Sequence, residues 1–348
     1  MITKAAILYQ INKPLLIEEL VLPELQAGQV LVKIAYSGIC HSQLNEIHGL
    51  KGEDRFLPHT LGHEGSGIVE SIGKGVKKVK VGDHVVLTWI KGSGADVSSA
   101  TYKRNDGSFI NSGAIATFLT KAVISENRLV RIPKKMPLRE AALLGCAIPT
   151  GAGIVMNTLR VQPDSSVAIF GIGGIGLSAL LAAKLKGAGI IIAIDIHDLK
   201  LAQATQFGAT HIVNAAKRDA LSEILGITNN RGVDYAIESA GKTGSMEMAF
   251  QSVRNNGGIC VIAGNLPKGE YISINPFALI EGKQITGTWG GESLPDKDIP
   301  KYVKLFLSGR LDLKKLISQV HNLEYINEAI CKLEKGELGR VLIDMSGA

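Results

Sequence analysis

The chain has 348 residues, enough for about two domains at roughly 150 residues each. Hydrophobic residues make up 45% and charged residues 20%, near the globular average, which excludes a disordered chain; 40 glycines without a Gly-X-Y period and only 11 prolines exclude a collagen. Lys+Arg 38 against Asp+Glu 32 leaves a net +6, and the densest basic run, Lys74–Lys80, is too short for the footprint of a nucleic-acid binder.

Residues 1–147 read as short strands broken by turns. Ala5–Tyr9, Val30–Tyr36, Gly67–Ile72, His84–Trp89 and Ala116–Ile124 are apolar or β-branched runs with Gly, Pro, Asn or Asp near most of their ends. That pattern predicts an irregular, mostly β domain. Lys91–Gly113 is polar, rich in Gly, Ser and Asn, and aperiodic, so it reads as a long surface excursion. From residue 166 the rhythm changes. Strands at Val167–Phe170, Ile190–Asp195, His211–Val213, Asp234–Glu238, Gly258–Ala263 and Gln284–Thr288 alternate with helices at Gly174–Leu185, Leu199–Phe207, Asp219–Leu225 and Gly244–Val253. This is an α/β pattern: a doubly wound parallel sheet covered on both faces. Residues 148–288 form that domain. The tail 289–348, with amphipathic Ile299–Leu307 and Ile326–Leu333 and a last strand Arg340–Asp344, is expected to return to the first domain.

Cysteines at 40, 146, 260 and 331 are too few for a disulfide scaffold at this size, and they fit a reducing compartment. Cys260 in a strand and Cys331 in a helix read as buried structural thiols. The opening MITKAAILYQINKP has no apolar signal-peptide core, and no apolar run approaches ~18 residues. The expectation is a soluble cytoplasmic protein without a membrane or nucleic-acid partner.

The sharpest motif is Gly171-Ile172-Gly173-Gly174-Ile175-Gly176, which follows a strand and opens a helix, with Asp195 at the end of the next strand. In that context it is a dinucleotide fingerprint. Gly171 permits the turn, Gly173 the approach of the pyrophosphate, and Gly176 the packing of helix on strand. The helix N-terminus supplies N–H groups to the anion. Asp195 is placed to accept hydrogen bonds from ribose hydroxyls and to repel a 2′-phosphate, which favours NAD over NADP. Lys200 can reach the same ribose or sit in solvent.

Cys40, His63 and Cys146 are of types that suit tetrahedral zinc, but they lie far apart and their spacing alone proves little. Taken together, Gly38-Ile-Cys40-His41-Ser42, Gly62-His63-Glu64-Gly65-Ser66-Gly67, Val81-Gly82-Asp83-His84-Val85 and Leu143-Leu-Gly-Cys146-Ala-Ile-Pro-Thr-Gly151 resemble the zinc-dependent medium-chain dehydrogenase/reductases, the family of zinc alcohol dehydrogenases. The fingerprint and Ile194-Asp195-Ile196 continue the match, which runs essentially end to end.

The resemblance implies a GroES-like catalytic domain plus a Rossmann domain. It implies zinc on Cys40, His63 and Cys146, with Glu64 as a carboxylate able to approach the metal. Two thiolates balance the charge of the ion, so an alcohol brought to it loses its proton more easily. Hydride then passes to NAD. Ser42 is implied as the partner of the substrate oxygen, His41 and Arg340 as basic groups near the pyrophosphate, and Trp89 as a wall of the pocket for a small alcohol or carbonyl. A homodimer or homotetramer is implied, and Gly258–Ala263 followed by Ile272–Pro276 could form its edge.

Three departures stand out. Many members hold a second, structural zinc on four cysteines after the strand ending near Trp89, but Lys91–Gly113 has no cysteine, so one zinc per chain is expected. Gln43 stands where an Asp commonly supports the histidine ligand. Asn45 stands where alcohol-oxidising members often end the proton relay with His; it cannot hold a proton near neutrality, so either His48, three residues on, or an ordered water replaces it, or His48 is simply exposed and protons leave through bulk water. The competing functions are a metal-free quinone or enone reductase, which has no use for the Cys/His trio, and a binding protein that has kept the fold without turnover.

Overall fold

The computed structural model describes residues 1–336 and 339–347 and divides into two compact units, Met1–Cys146 with Leu294–Ala348, and Ala147–Ser293. The divisions fall at 146/147 and 293/294, against 147/148 and 288/289 read from the sequence.

The first unit is β-rich. Strands Ile2–Leu8, Leu16–Val21, Thr101–Lys103, Phe109–Ser112 and His59–Thr60 close a small barrel. A second sheet runs in the order Leu129–Ile132, His84–Thr88, Glu64–Ile72, Gln29–Ile39, Arg340–Asp344, Ile317–Asn322, with Lys121–Ser125 also on Gln29–Ile39. Gln29–Ile39 is the organiser. Val30, Leu31, Val32, Ile34 and Ile39 are buried, and the strand pairs antiparallel with Glu64–Ile72, Lys121–Ser125 and Arg340–Asp344. A strand covered on both faces reads as a nearly continuous apolar run, as this one does.

Lys91–Gly113 departs from expectation. Thr101–Lys103 and Phe109–Ser112 form an antiparallel hairpin with Tyr102 opposite Ile110, both fully buried. Alternation over so few residues is a weak signal, but Asn105-Asp106-Gly107 at the turn, with Gly107 at φ +86°, is a hairpin signature. Ala116–Ile124 is also trimmed: only Lys121–Ser125 is strand.

The second unit is a six-stranded parallel sheet in the order His211–Asn214, Ile190–Asp195, Ser166–Phe170, Tyr235–Glu238, Ile259–Ile262, Gln284–Gly287. This is the 3-2-1-4-5-6 order of a doubly wound dinucleotide fold, whose ligand crevice lies at the carboxyl ends of the strands, where the order reverses. The reversal lies between Ser166–Phe170 and Tyr235–Glu238. Gly258–Ala263 is an interior strand, paired on both sides; the sheet edge is Gln284–Gly287. Cys260 is buried, and burial first, then the Glu238 charge, pushes its thiol up to about 12. Cys331 is exposed, because the buried stripe of its helix runs through Ile326, Ala329, Ile330 and Leu333 and passes it by. Among the described residues no single helix is long and apolar enough to cross a membrane.

Candidate metal centre and cofactor-binding residues

The register of two strands brings the metal-ligand candidates together. Gln29–Ile39 and Glu64–Ile72 are antiparallel with Ser37 opposite Gly65, so Cys40, just past one strand, and His63, just before the other, emerge at the same end. Thr88 lies opposite Glu64 and donates its hydroxyl to the Gly145 carbonyl at 2.7 Å, which fixes the residue before Cys146. One donor atom from each of Cys40, His63 and Cys146 lies within 4.8 Å of the others, and His63 Nε2 is 3.2 Å from Cys146 Sγ.

The electrostatics favour a thiolate. The hydrogen bond with Cys146 holds the Cys40 thiol well below the usual thiol range; burial opposes this, and His63 and the Arg340 charge add to the lowering. Gln43 braces the cluster from behind. Its Oε1 accepts the Cys40 N–H at 2.9 Å and its amide nitrogen meets His63 Nδ1. An amide orients the imidazole without bringing a negative charge. Two thiols and an imidazole, converging and with one thiol already biased to ionise, are a donor set that fits zinc.

Glu64 is fully buried and forms an ion pair with Arg340. Strand Arg340–Asp344 delivers that guanidinium by pairing Val341 with Ile39 and Leu342 with Gly38. Gly38 is required here, because a Cβ on it would overlap the Glu64 carboxylate.

In the second unit Gly171 sits at φ +87°, and a Cβ on it would lie 2.7 Å from the Ala240 nitrogen. A Cβ on Gly176 would overlap the Gly171 carbonyl, whereas one on Gly173 would meet no protein atom within 4 Å. The turn and the helix packing are therefore tight, and the face at Gly173 is open for a ligand. Gly174 and Ile175 begin helix Gly174–Leu185. Asp195 accepts the Ile172 N–H at 2.7 Å and the His197 N–H at 3.0 Å, tying its strand end to the fingerprint turn. A carboxylate offers about four acceptor sites, so two backbone bonds leave capacity for a ligand. Lys200 is half-buried in the first turn of Asp198–Phe207.

Residues 26–134 match the alcohol dehydrogenase GroES-like domain, and residues 174–308 match the zinc-binding dehydrogenase family. The class-3 alcohol dehydrogenase of Myxine glutinosa is 33% identical over 98% of this chain and 97% of its own length. Among solved structures, the benzyl alcohol dehydrogenase of Acinetobacter calcoaceticus matches at 33% identity, TM-score 0.90 and 99% coverage of both chains. The alcohol dehydrogenase zinc-binding domain protein of Burkholderia ambifaria matches at 32%, TM-score 0.91 and 99% of both chains.

The chain belongs to the zinc-dependent alcohol dehydrogenases. Like the family, it is an oxidoreductase that interconverts small alcohols and their carbonyl counterparts, with zinc and a nicotinamide cofactor.

Within this zinc alcohol dehydrogenase the other expected residues fare unequally. Ser42 is half-buried in helix His41–Ile47, two residues past Cys40, and accepts a hydrogen bond from Lys51 Nζ at 2.9 Å. His41, first in that helix, is exposed. Trp89 packs partly buried against the core of the first unit. Two of the expected residues have partners within the first unit. His48 Nδ1 bonds Asn12 Oδ1 at 2.8 Å and its Nε2 pairs with Glu334. Arg340 is 5% exposed and forms an ion pair with Glu64. Sequence reasoning also missed Lys51, whose approach to Ser42 depends on a turn that no periodicity announces.

Proposed function

We propose that the protein is an NAD-dependent dehydrogenase of an alcohol or polyol, or a reductase of the matching carbonyl, with one zinc per chain on Cys40, His63 and Cys146. The observation that carries this reading is the convergence of three donors within 4.8 Å around a thiol biased toward ionisation. When bound, zinc supplies Lewis-acid polarisation of the substrate oxygen. The protein's own residues do the rest. Gln43 holds His63 in one orientation, and the Arg340–Glu64 pair keeps a compensated charge behind the thiols. Ser42 bonds the reacting oxygen and passes its proton. The open face at Gly173 and the start of helix Gly174–Leu185 receive the pyrophosphate, and Asp195 receives the adenosine ribose.

Turnover of a panel including benzyl alcohol and 2,3-butanediol, with NAD and NADP side by side, tests the reading. Like-charge contact costs several kcal/mol, so kcat/KM with NAD is expected to exceed that with NADP by about 10²-fold or more. Asp195→Ala should narrow the gap, and a wild-type preference for NADP would contradict the role of Asp195.

A homo-oligomer is also proposed. Edge strand Gln284–Gly287 is half-exposed to exposed, and Tyr271, Phe277, Ile280 and Trp289 near it in sequence are all exposed. A bare strand edge with apolar neighbours favours cover by a second copy. Sedimentation at micromolar concentration should give at least a dimer mass.

A further inference from the structure

Alcohol oxidation by NAD releases one proton, and carbonyl reduction consumes one. Asn45 cannot hold that proton, and both ring nitrogens of His48 are engaged by Asn12 and Glu334. One titratable group does reach the serine. Lys51 lies in the turn after helix His41–Ile47 and folds back along it, where Ser42 and Glu46 stand one helical turn apart on a shared face. Its Nζ is 2.9 Å from Ser42 Oγ and 3.2 Å from Glu46 Oε2, and its side chain is 47% exposed.

We propose that Lys51 is the proton-relay residue of this enzyme: it acts through Ser42, with Glu46 as its counter-charge and the exposed flank of its ammonium as the port to solvent. The proposal rests on the alcohol dehydrogenase reading of Ser42. In reduction, the Ser42 hydroxyl gives its proton to the substrate oxygen as Lys51 Nζ gives one to Ser42. An O–H bond breaks and one forms at the serine, an N–H bond breaks at the lysine, and water returns the proton to the amine. Oxidation runs the same transfers backwards and needs Lys51 neutral at the start. The arrangement has a sense of direction, because Lys51 donates to Ser42 and so turns the serine's own hydrogen toward its other partner. Neighbouring ionisable side chains have other partners: Arg55 pairs with Glu53, His59 with Asp54, and His48 with Glu334. Among the described residues Glu46 is the carboxylate bonded to Lys51, and His41 shares its helix.

The test combines kinetics with a readout that needs no turnover. On the zinc-loaded protein without substrate, competitive acetylation followed by peptide mass spectrometry titrates Lys51 itself. In the wild type, kcat for oxidation of the best alcohol of the panel should rise with pH, and kcat for the reverse reduction should fall, around the labelling midpoint of Lys51. Lys51→Met removes charge and donor. Lys51→Arg keeps both but cannot release its proton at these pH values. Both variants should lose that limb of the profile and roughly 10²-fold in kcat, with KM little changed, as expected when a positioned proton carrier is removed. Ethylamine should restore Lys51→Ala in proportion to the free amine. A wild-type profile in either Lys51→Met or Lys51→Arg, or a labelling midpoint away from the kinetic limb, overturns the relay alone. If the wild type turns over nothing in the panel, the dehydrogenase reading falls and the relay with it.

Discussion

The first unit ties distant segments together twice, with different chemistry. Around Cys40, His63 and Cys146 the convergent groups are two thiols and an imidazole, weak partners for one another and strong partners for a cation. Beside strand Lys121–Ser125 the convergent group is a carboxylate. Glu126 accepts the Lys77 and Lys78 N–H groups at 2.6 and 2.7 Å on one oxygen and the Ala95 N–H at 2.8 Å on the other. The neighbouring Ser125 hydroxyl donates to the Ala95 carbonyl at 2.8 Å, and the Asn127 carbonyl accepts the Gly92 N–H at 2.8 Å. Asp296 adds the Ser93 N–H at 2.6 Å and an ion pair with Lys78. The cysteine-free segment that opens at Lys91 is therefore pinned by the buried Glu126 and the exposed Asp296 meeting backbone donors. One region gathers donors that suit a cation, and the other is tied by carboxylates to backbone N–H groups.

The comparison can be pressed from both sides. The largest effect on stability belongs to Glu126. Burial works against its ionisation, but the three backbone donors outweigh burial and hold its carboxyl below the ordinary range. Glu126→Ala leaves three N–H groups without their acceptor and is expected to cost about 3 kcal/mol in denaturant unfolding. The sign with pH follows from the lowered value. The stabilisation is complete above the unfolded-state pKa of about 4.3 and is lost as pH falls through the folded-state value. The gap between wild type and Glu126→Gln should therefore close in acid. A metal chelator should leave hydrogen-exchange protection of the Ala95 amide unchanged. If chelation exposes that amide, the contrast between the two regions fails.

A smaller effect is expected at Gln43, which holds the ligand without being one. Gln43→Ala should weaken zinc by roughly 10–100-fold in competition with a chromogenic chelator, the usual range for a group that orients a metal ligand. The same change strips the Cys40 N–H of its acceptor, so the metal-free protein should also lose about 1 kcal/mol of stability. Unchanged affinity would mean that the Gln43–His63 contact does not matter to the site.

Much of this was legible in the sequence where a local pattern carries the information. The second unit follows its alternation of apolar strands and helices, so all six strands and the fingerprint turn fall where read. The metal ligands were legible only through their motifs. Strand register brings 40, 63 and 146 together, and spacing does not encode register. Three things stayed hidden for separate reasons. Glu126 looks like an ordinary surface glutamate, because its partners are backbone groups that any sequence possesses. Spatial order in the sheet differs from chain order, so the sequence of Gly258–Ala263 does not mark it as an interior strand. Lys51 reaches Ser42 through a turn of Gly and polar residues with no period. By contrast, Asn105-Asp106-Gly107 and the position of Cys331 off its helix's apolar stripe were readable signals that were passed over.

We expect one metal per chain, held by Cys40, His63 and Cys146, and none on the cysteine-free segment Lys91–Gly113. Zinc per chain, measured by plasma mass spectrometry on protein expressed with zinc, tests it most directly when the Cys146→Ser variant is run beside the wild type. The account predicts one zinc per chain in the wild type and almost none in the variant. Two zinc ions in the wild type, or one retained by Cys146→Ser, would contradict it.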